Sequence, residues 1–304
     1  MGKSKWDTLT TPPEGKLSAI LADRGNSLKY SWAKNHSGEK ILLMEGELYK
    51  HITNFDFKYI DIVSFKEGIQ IVLKNDEHTE IFENLCTDLI NSTKGITSEQ
   101  KAINTLLLRM KKWQKLLTSL NRYIDKSFLK GLIGELLFMK ELFRHFDRKD
   151  VLNFWKAPDE ENVHDFIITD KAVEIKTKTS KNRINISSYE QLFTELPKLF
   201  LCVYTISESD KNNGFNVYDI IEKIKKLLSD EYLVLYFERL LVDYGFIPLK
   251  EYKEIYFKLI KEEIFEVTAS FPRIKNKPDA IINLKYSIDI DKIKKFKTSK
   301  KDLF

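Results

Sequence analysis

Asp165-Phe-Ile-Ile-Thr-Asp-Lys-Ala-Val-Glu-Ile-Lys176 opens on a carboxylate and runs through a short apolar strand. It turns at a polar pair and returns through a second strand carrying Glu174 and Lys176. Side chains alternate with period two along a strand, so Glu174 and Lys176 share a face. With Asp170-Lys171 as a two-residue turn, Thr169 stands opposite Ala172 and Asp165 opposite Lys176. That register gathers Asp165, Ile167, Glu174 and Lys176 on one face and leaves Phe166, Ile168, Val173 and Ile175 as an apolar face to pack. Two carboxylates and an amine on one sheet face suit a hard, oxygen-seeking cation and a phosphodiester. In this reading Asp165 and Glu174, with the Ile175 carbonyl, hold Mg²⁺, and Lys176 orients water or stabilises charge on the phosphate.

Upstream, Gly131-Leu-Ile-Gly-Glu-Leu-Leu-Phe-Met139 puts Glu135 on the apolar stripe of a helix expected over residues 127–146. A carboxylate there must be paired, protonated or metal-bound to be tolerated. Gly131 and Gly134 each cost about 1 kcal/mol against Ala in a helix interior, and in return let the helix approach a sheet closely. A loop at Trp155 follows, then the hairpin. A third strand is expected from Arg183 to Ser188, then a short helix over residues 189–196 that carries Gln191. Leu199 to Thr205 is a continuous apolar run, as in a fully buried strand. Helices are expected at residues 217–228 and 230–244, and late strands at residues 264–271 and 280–290.

The order Glu135, Asp165, Glu174-x-Lys176 resembles the PD-(D/E)XK nucleases, whose fold is that of restriction endonucleases. It is most similar to the bacterial "PD-(D/E)XK motif proteins" of restriction and phage-defence gene clusters. The resemblance rests on the GLxGEL helix (Gly131 to Leu136), Trp155, Asp165-Phe166, the VEIKT strand (Val173 to Thr177), and Ser187-Ser188 with Gln191-Leu192. It covers about residues 127–195. It implies an α/β (α+β) core of mixed sheet flanked by helices and metal-dependent DNA cleavage with Mg²⁺ or Mn²⁺. Catalysis falls to Asp165, Glu174, Lys176, Glu135 and Gln191, and metal ligation to Glu135, Asp165, Glu174 and Ile175. Lys178, Lys181 and Arg183 become DNA contacts, and the candidate partners are a methyltransferase, an ATPase or a second copy of the chain. The chain departs from the family pattern at the proline, since His164 precedes Asp165. Pro158-Asp159 and Pro278-Asp279 are literal matches without the strand or the E-x-K that the site requires.

The remainder of the chain bounds these readings. Its 304 residues, 42% apolar and 31% charged, suffice for a large core, and a net charge of +5 agrees with a nucleic-acid partner without requiring one. Cys86 and Cys202 lie far apart and outside any Cys/His cluster, which fits a reducing cytoplasm. Residues 1–13 lack the apolar core of a signal peptide, Trp6 breaks a myristoylation pattern, and no apolar run reaches the ~20 residues of a membrane span. Heavy use of Lys, Ile and Asn is what an AT-rich, bacterial genome encodes.

Residues 1–95 read as a β-rich recognition or assembly domain, with strands at Lys40 to Met44, Tyr59 to Ser64 and Gly68 to Leu73, closed by a helix over residues 80–92. Residues 96–304 read as the nuclease domain. Its first helix is capped by Thr97 with Gln100 and carries a stripe of Ile103, Leu106, Leu107, Met110, Trp113, Leu117 and Leu120, with Arg109, Lys111, Lys112 and Lys115 outward. The Lys-rich segment from Asp291 to Phe304 reads as a solubilising tail. Two competing readings use the same residues: a catalytically inactive DNA- or protein-binding subunit of a restriction complex, and a metal-free cytoplasmic scaffold with a solvated polar hairpin.

Overall fold

The computed structural model describes residues 4–46, 55, 57, 59–119, 126–156, 163–278 and 280–304. The chain forms two compact units, one of residues 1–123 with 245–249, the other of residues 124–244 with 250–304. The division thus falls after the long helix expected to open the nuclease domain, not before it at Gly95. Pro158-Asp159, Leu120 and Asp279 lie outside the described residues.

The first unit is an antiparallel sheet of β1 (Ser18–Asp23), β2 (Lys29–Lys34), β3 (Lys40–Glu45), β4 (Ile60–Phe65) and β5 (Gly68–Leu73), in the order β1-β2-β3-β5-β4. Two helices follow, α1 (Thr79–Thr93) and α2 (Glu99–Ser119). Trp6 is wholly buried, stacks on Phe82 and donates its indole N–H to the Ile41 carbonyl at 2.9 Å. Ser98, not Thr97, stands before the first turn of α2, and its hydroxyl accepts from the Lys101 N–H. The apolar stripe of α2 is buried as expected at Ile103, Leu106, Met110, Trp113 and Leu117. Arg109, expected outward, is buried too. Its Nε and Nη2 grip the Asp88 carboxylate of α1 at 2.5 and 2.6 Å, and the Trp113 indole donates to the same carboxylate at 2.7 Å. Asn84 donates to the Pro248 carbonyl at 3.1 Å, tying residues 245–249 to this unit.

The second unit begins with α3 (Lys126–Leu142) and α4 (Arg148–Phe154), a short helix unanticipated in the sequence. Its mixed sheet has the order β12-β10-β9-β7-β6, with β6 (Phe166–Ile168), β7 (Lys171–Lys178), β9 (Lys198–Ser209), β10 (Tyr256–Glu266) and β12 (Lys297–Thr298). β7 and β9 run parallel and the other neighbours antiparallel. Helices α5 (Val217–Leu228) and α6 (Glu231–Tyr244) complete it before β10. α5 starts where Asn216 and Asp219 form a reciprocal capping box, and it buries Val217, Ile220, Ile221, Ile224 and Leu228 at helical spacing.

β8 (Arg183–Ile186) does not join this sheet. It pairs with β11 (Tyr286–Asp289) in a separate ribbon, with Ile184 and Ile186 inward and Arg183 and Asn185 exposed. Those isoleucines share a core with Ala172, Leu199, Leu201, Val203 and Phe265. The late strands also differ from expectation. β10 starts at Tyr256 rather than at 264; a bulge near Leu259 and a Lys-Glu-Glu run break the alternation that would mark its first part in the sequence. The C-terminal segment is no loose tail. Lys300 pairs with Glu262 at 2.9 Å, Leu303 of α7 (Lys300–Leu303) is fully buried, and Phe304 stacks on His145.

One glycine sets the distance between helix and sheet. A Cβ at Gly134 would collide with Thr177 Oγ1 and press on Ile175 Cγ2 at 3.3 Å, so α3 can lie on β7 only with hydrogen at this position. Gly131 faces the Tyr244 hydroxyl at an ordinary 3.7 Å. Gly134→Ala is therefore expected to destabilise this unit by about 1–3 kcal/mol in a urea titration, despite the better helix propensity of Ala. A gain in stability would show that helix and sheet are not in this close contact. Among the described residues no helix is long and apolar enough to cross a membrane.

Candidate active site

The hairpin turns one residue earlier than its sequence suggests. Ile168 pairs with Lys171, so Thr169-Asp170 makes the turn, and Thr169 takes a positive φ of 53°. The register Phe166↔Val173 and Ile167↔Ala172 moves the pairing by two residues and so preserves the faces. Continued one step, it sets Asp165 across from Glu174 rather than Lys176. Phe166 packs edge-on against Phe138 of α3 at 4.8 Å, while Ala172 and Glu174 neighbour Leu199 and Leu201 on β9.

β6 ends at Phe166, which leaves the Ile175 N–H of β7 without a strand partner. Asp165 Oδ2 accepts that N–H at 2.6 Å. Glu174 is fully buried; its Oε1 lies 2.6 Å from Lys176 Nζ, and its Oε2 has no hydrogen-bond partner. Lys176 Nζ also donates to Gln191 Oε1 at 3.0 Å, and that same oxygen accepts the Ser187 N–H at 2.8 Å. Gln191 lies in a 3-10 turn, Tyr189–Leu192, not a helix, and this turn points it back at β7. Asp165, Glu174, Lys176 and Gln191 are thus brought together where β6 leaves the sheet.

Glu135 reaches the same place from α3. Its Oε2 accepts the Trp155 indole N–H at 2.7 Å and its Oε1 the Tyr244 hydroxyl at 2.6 Å. Tyr244, at the end of α6, was not anticipated as a site residue. Nothing in its sequence neighbourhood marks it, since the contact spans the whole unit. Trp155 stood out only as part of a motif; an isolated bridge to Phe166 and the Lys156 N–H to the Asp165 carbonyl at 2.9 Å fix its backbone.

Burial pushes the Glu135 carboxyl up to about 7, against the pull of the two hydrogen bonds, with the Glu174 charge adding to the rise. Burial likewise holds Asp165 well above the carboxylate range, reinforced by Glu174 and Glu135. For Lys176 burial acts downward, but the charges of Glu174, Asp165 and Glu135 outweigh it and raise the ammonium pKa. Asp165 and Glu135, each raised in part by the charge of Glu174, stand with that carboxylate around one lysine in a site short of positive charge.

A hard divalent cation fits that deficit through Asp165, the unpartnered Glu174 Oε2 and the Ile175 carbonyl, because Mg²⁺ is commonly held by one or two carboxylates and otherwise by water. Among the described residues no three His, Cys, Asp or Glu side chains converge to cage an ion. Glu135 spends both oxygens on Trp155 and Tyr244, so its expected place among the ligands is not matched by its contacts. The expected DNA contacts lie nearby in sequence. Lys178 donates to the Lys181 carbonyl at 3.3 Å, and Lys181 and Arg183 are exposed.

Glu135 carries a pH signature. Its proton is held more tightly in the folded chain than at the ordinary value of 4.5, so the fold binds more protons than the unfolded chain between about 4.5 and 7. Stability falls as pH rises through that window and levels off above it. Glu135→Gln, whose amide can accept from Trp155 and donate to the Tyr244 oxygen, is expected to flatten the slope. It should stabilise the metal-free protein at pH 8 by on the order of 2 kcal/mol in urea titrations. Parallel curves for the two proteins would contradict this.

The family model described as "Putative PD-(D/E)XK family member, (DUF4420)" matches residues 3–291. No curated protein and no solved structure matches the chain. The match spans both units and takes in the helix, hairpin and 3-10 turn that assemble Glu135, Asp165, Glu174, Lys176 and Gln191; the chain belongs to this PD-(D/E)XK family.

Proposed function

We propose that the chain is a metal-dependent nuclease that hydrolyses DNA phosphodiester bonds, with Mg²⁺ or Mn²⁺ as cofactor, in a bacterial restriction or phage-defence system. The reading is carried by one observation: buried Glu174 offers Oε1 to Lys176 and keeps Oε2 free, beside Asp165 at the open edge of β7. Asp165 and Glu174, with the Ile175 carbonyl, would hold the metal, which when bound polarises the phosphate and lowers the pKa of water. Lys176 keeps its positive charge among these carboxylates and presents it to the phosphate as negative charge builds. Gln191 positions Lys176, since its carbonyl oxygen is itself fixed by the Ser187 N–H. Trp155 and Tyr244 hold Glu135 on the buried side of the site and so fix the shape of its wall.

A second reading, a non-catalytic DNA-binding subunit of a restriction complex, draws on the engagement of Asp165 by the Ile175 N–H and of Glu135 by Trp155 and Tyr244. Incubation of methylated and unmethylated DNA with purified wild type and Lys176→Ala, in metal and in chelator, separates the two. Nuclease action predicts cleavage by wild type in metal alone and on the order of 10²–10³-fold less by Lys176→Ala. DNA binding without cleavage on any of these substrates would favour the second.

A further inference from the structure

Lys140, Phe143 and Arg144 stand three and four residues apart at the end of α3, and Lys223, Lys226 and Leu227 repeat that spacing on α5. Side chains so spaced share a helix face. The two faces enclose a pocket of about 380 Å³ lined by these six residues, so each helix contributes two cations and one apolar group. The pocket lies on the flank of α3 that meets α5. Phe143 stands about half a turn round the axis from Gly134, the residue held against β7.

The positive charge is not used within the fold. The side-chain amines of Lys140, Lys223 and Lys226 have no hydrogen-bond or ion-pair partner among the described residues. Arg144 pairs with Glu141 at 3.2 Å, but that carboxylate also serves Lys300 at 3.4 Å, and the Arg144 side chain is 71% exposed. Lys225, on another face of α5, shows the contrast, since Glu238 at 2.8 Å and Glu222 at 3.5 Å neutralise it. Cations near a helix C-terminus commonly bond its last carbonyls. Here other groups do so: the Ser229 N–H and hydroxyl donate to the carbonyls of Lys225, Lys226 and Leu227, and Arg148 also donates to Leu227. At the end of α3 the His145 and Phe146 N–H groups donate to the Leu142 carbonyl.

We propose that the pocket between α3 and α5 binds a nucleoside polyphosphate, its phosphates drawn to Lys140, Arg144, Lys223 and Lys226 and its base set against Phe143 and Leu227. Four cations that share one carboxylate suit a ligand with several negative charges in a small volume, and phosphates meet Lys and Arg through charge-assisted hydrogen bonds. The apolar pair suits a flat body attached to those phosphates, which a base supplies by stacking on Phe143. The volume falls in the range of small-molecule sites. Duplex DNA fits less well, because it meets a basic surface with phosphates and sugars and offers Phe143 and Leu227 no stacking face. The pocket shares no residue with the cluster at Glu174 and Lys176, so it stands or falls independently of the nuclease reading.

Calorimetric titration of the full chain with ATP, CTP, GTP and UTP, in chelator to keep metal from the cluster at Glu174, provides the test. Pyrophosphate and the matching nucleoside serve as partial ligands. At least one triphosphate is expected to bind with a Kd below about 100 µM, and its nucleoside and pyrophosphate each about tenfold more weakly or worse. Lys223→Glu with Lys226→Glu, both exposed, should weaken the triphosphate about 10–100-fold and leave the melting temperature in place. Lys101→Glu with Lys111→Glu, the same charge change at exposed positions of α2, should leave the affinity within about twofold. Phe143→Ala should weaken the triphosphate and leave pyrophosphate unchanged, a split that a charged patch alone would not produce. Failure of all four triphosphates to bind would overturn the proposal, as would equal loss in the two double variants. Pyrophosphate bound as tightly as the triphosphates would make the pocket a plain anion site and overturn it too. Duplex DNA bound by wild type and lost by Lys223→Glu with Lys226→Glu, without triphosphate binding, would replace it with a DNA-backbone contact.

Discussion

Glu174→Gln is expected to lower metal-dependent DNA cleavage by on the order of 10³-fold or more while leaving the fold standing. The substitution keeps the volume of a fully buried side chain and keeps an oxygen for Lys176 to donate to. It removes one negative charge from a cluster in which Asp165 and Glu135 are both pushed upward by that charge. Thermal stability in the absence of metal is therefore expected to hold or rise. A purely structural Glu174 would behave in the opposite way: loss of the charge would strand Lys176 and lower stability, with cleavage falling only in proportion to the folded fraction. Comparison of single-turnover rates with melting temperatures separates these outcomes.

Asp88→Ala is expected to destabilise the first unit by about 3–5 kcal/mol, the cost of leaving one partner of a buried ion pair uncompensated. Arg109 and Asp88 expose 5% and 12% of their side chains, and two guanidinium bonds and the Trp113 indole converge on the one carboxylate. Replacement of both charged residues together, Asp88→Leu with Arg109→Met, is expected to recover much of that loss, because no charge is then left buried alone. Urea titration followed by Trp fluorescence reports the change. A loss below about 1 kcal/mol for Asp88→Ala would mean that the pair is solvated rather than buried.

This pair also marks where the sequence misleads. The stripe of α2 is legible because Ile103, Leu106, Met110 and Trp113 recur at helical spacing, and all are buried. A charge is normally solvated, which places Arg109 on the outer face when only the sequence is read; the tertiary contact to Asp88 on α1 supports its burial. The site shows the same pattern. Glu174 and Lys176 share a face for any register that keeps the period of two, so the displaced turn at Thr169-Asp170 did not disturb them. Asp165 was legible as the residue that opens an apolar strand. Tyr244 was not, since its contact to Glu135 closes only when α6 returns to α3. β10 was partly missed because its bulge and its lysines and glutamates hide the alternation, and α4 because seven residues carry too little periodicity. The Lys-rich C-terminus was read as solvated by charge alone, yet Leu303 and Phe304 dock it on α3 and its neighbours.

The central claim is that the cluster at the open edge of β7 hydrolyses phosphodiesters. The most direct measurement is single-turnover cleavage of end-labelled duplex DNA by excess purified protein, wild type and Glu174→Gln side by side, in Mn²⁺, in Mg²⁺ and in chelator. The expected result is labelled fragments from wild type in metal, with essentially none from Glu174→Gln or in chelator. Equal cleavage by the two proteins, or none by wild type on methylated and unmethylated duplexes alike, would contradict it.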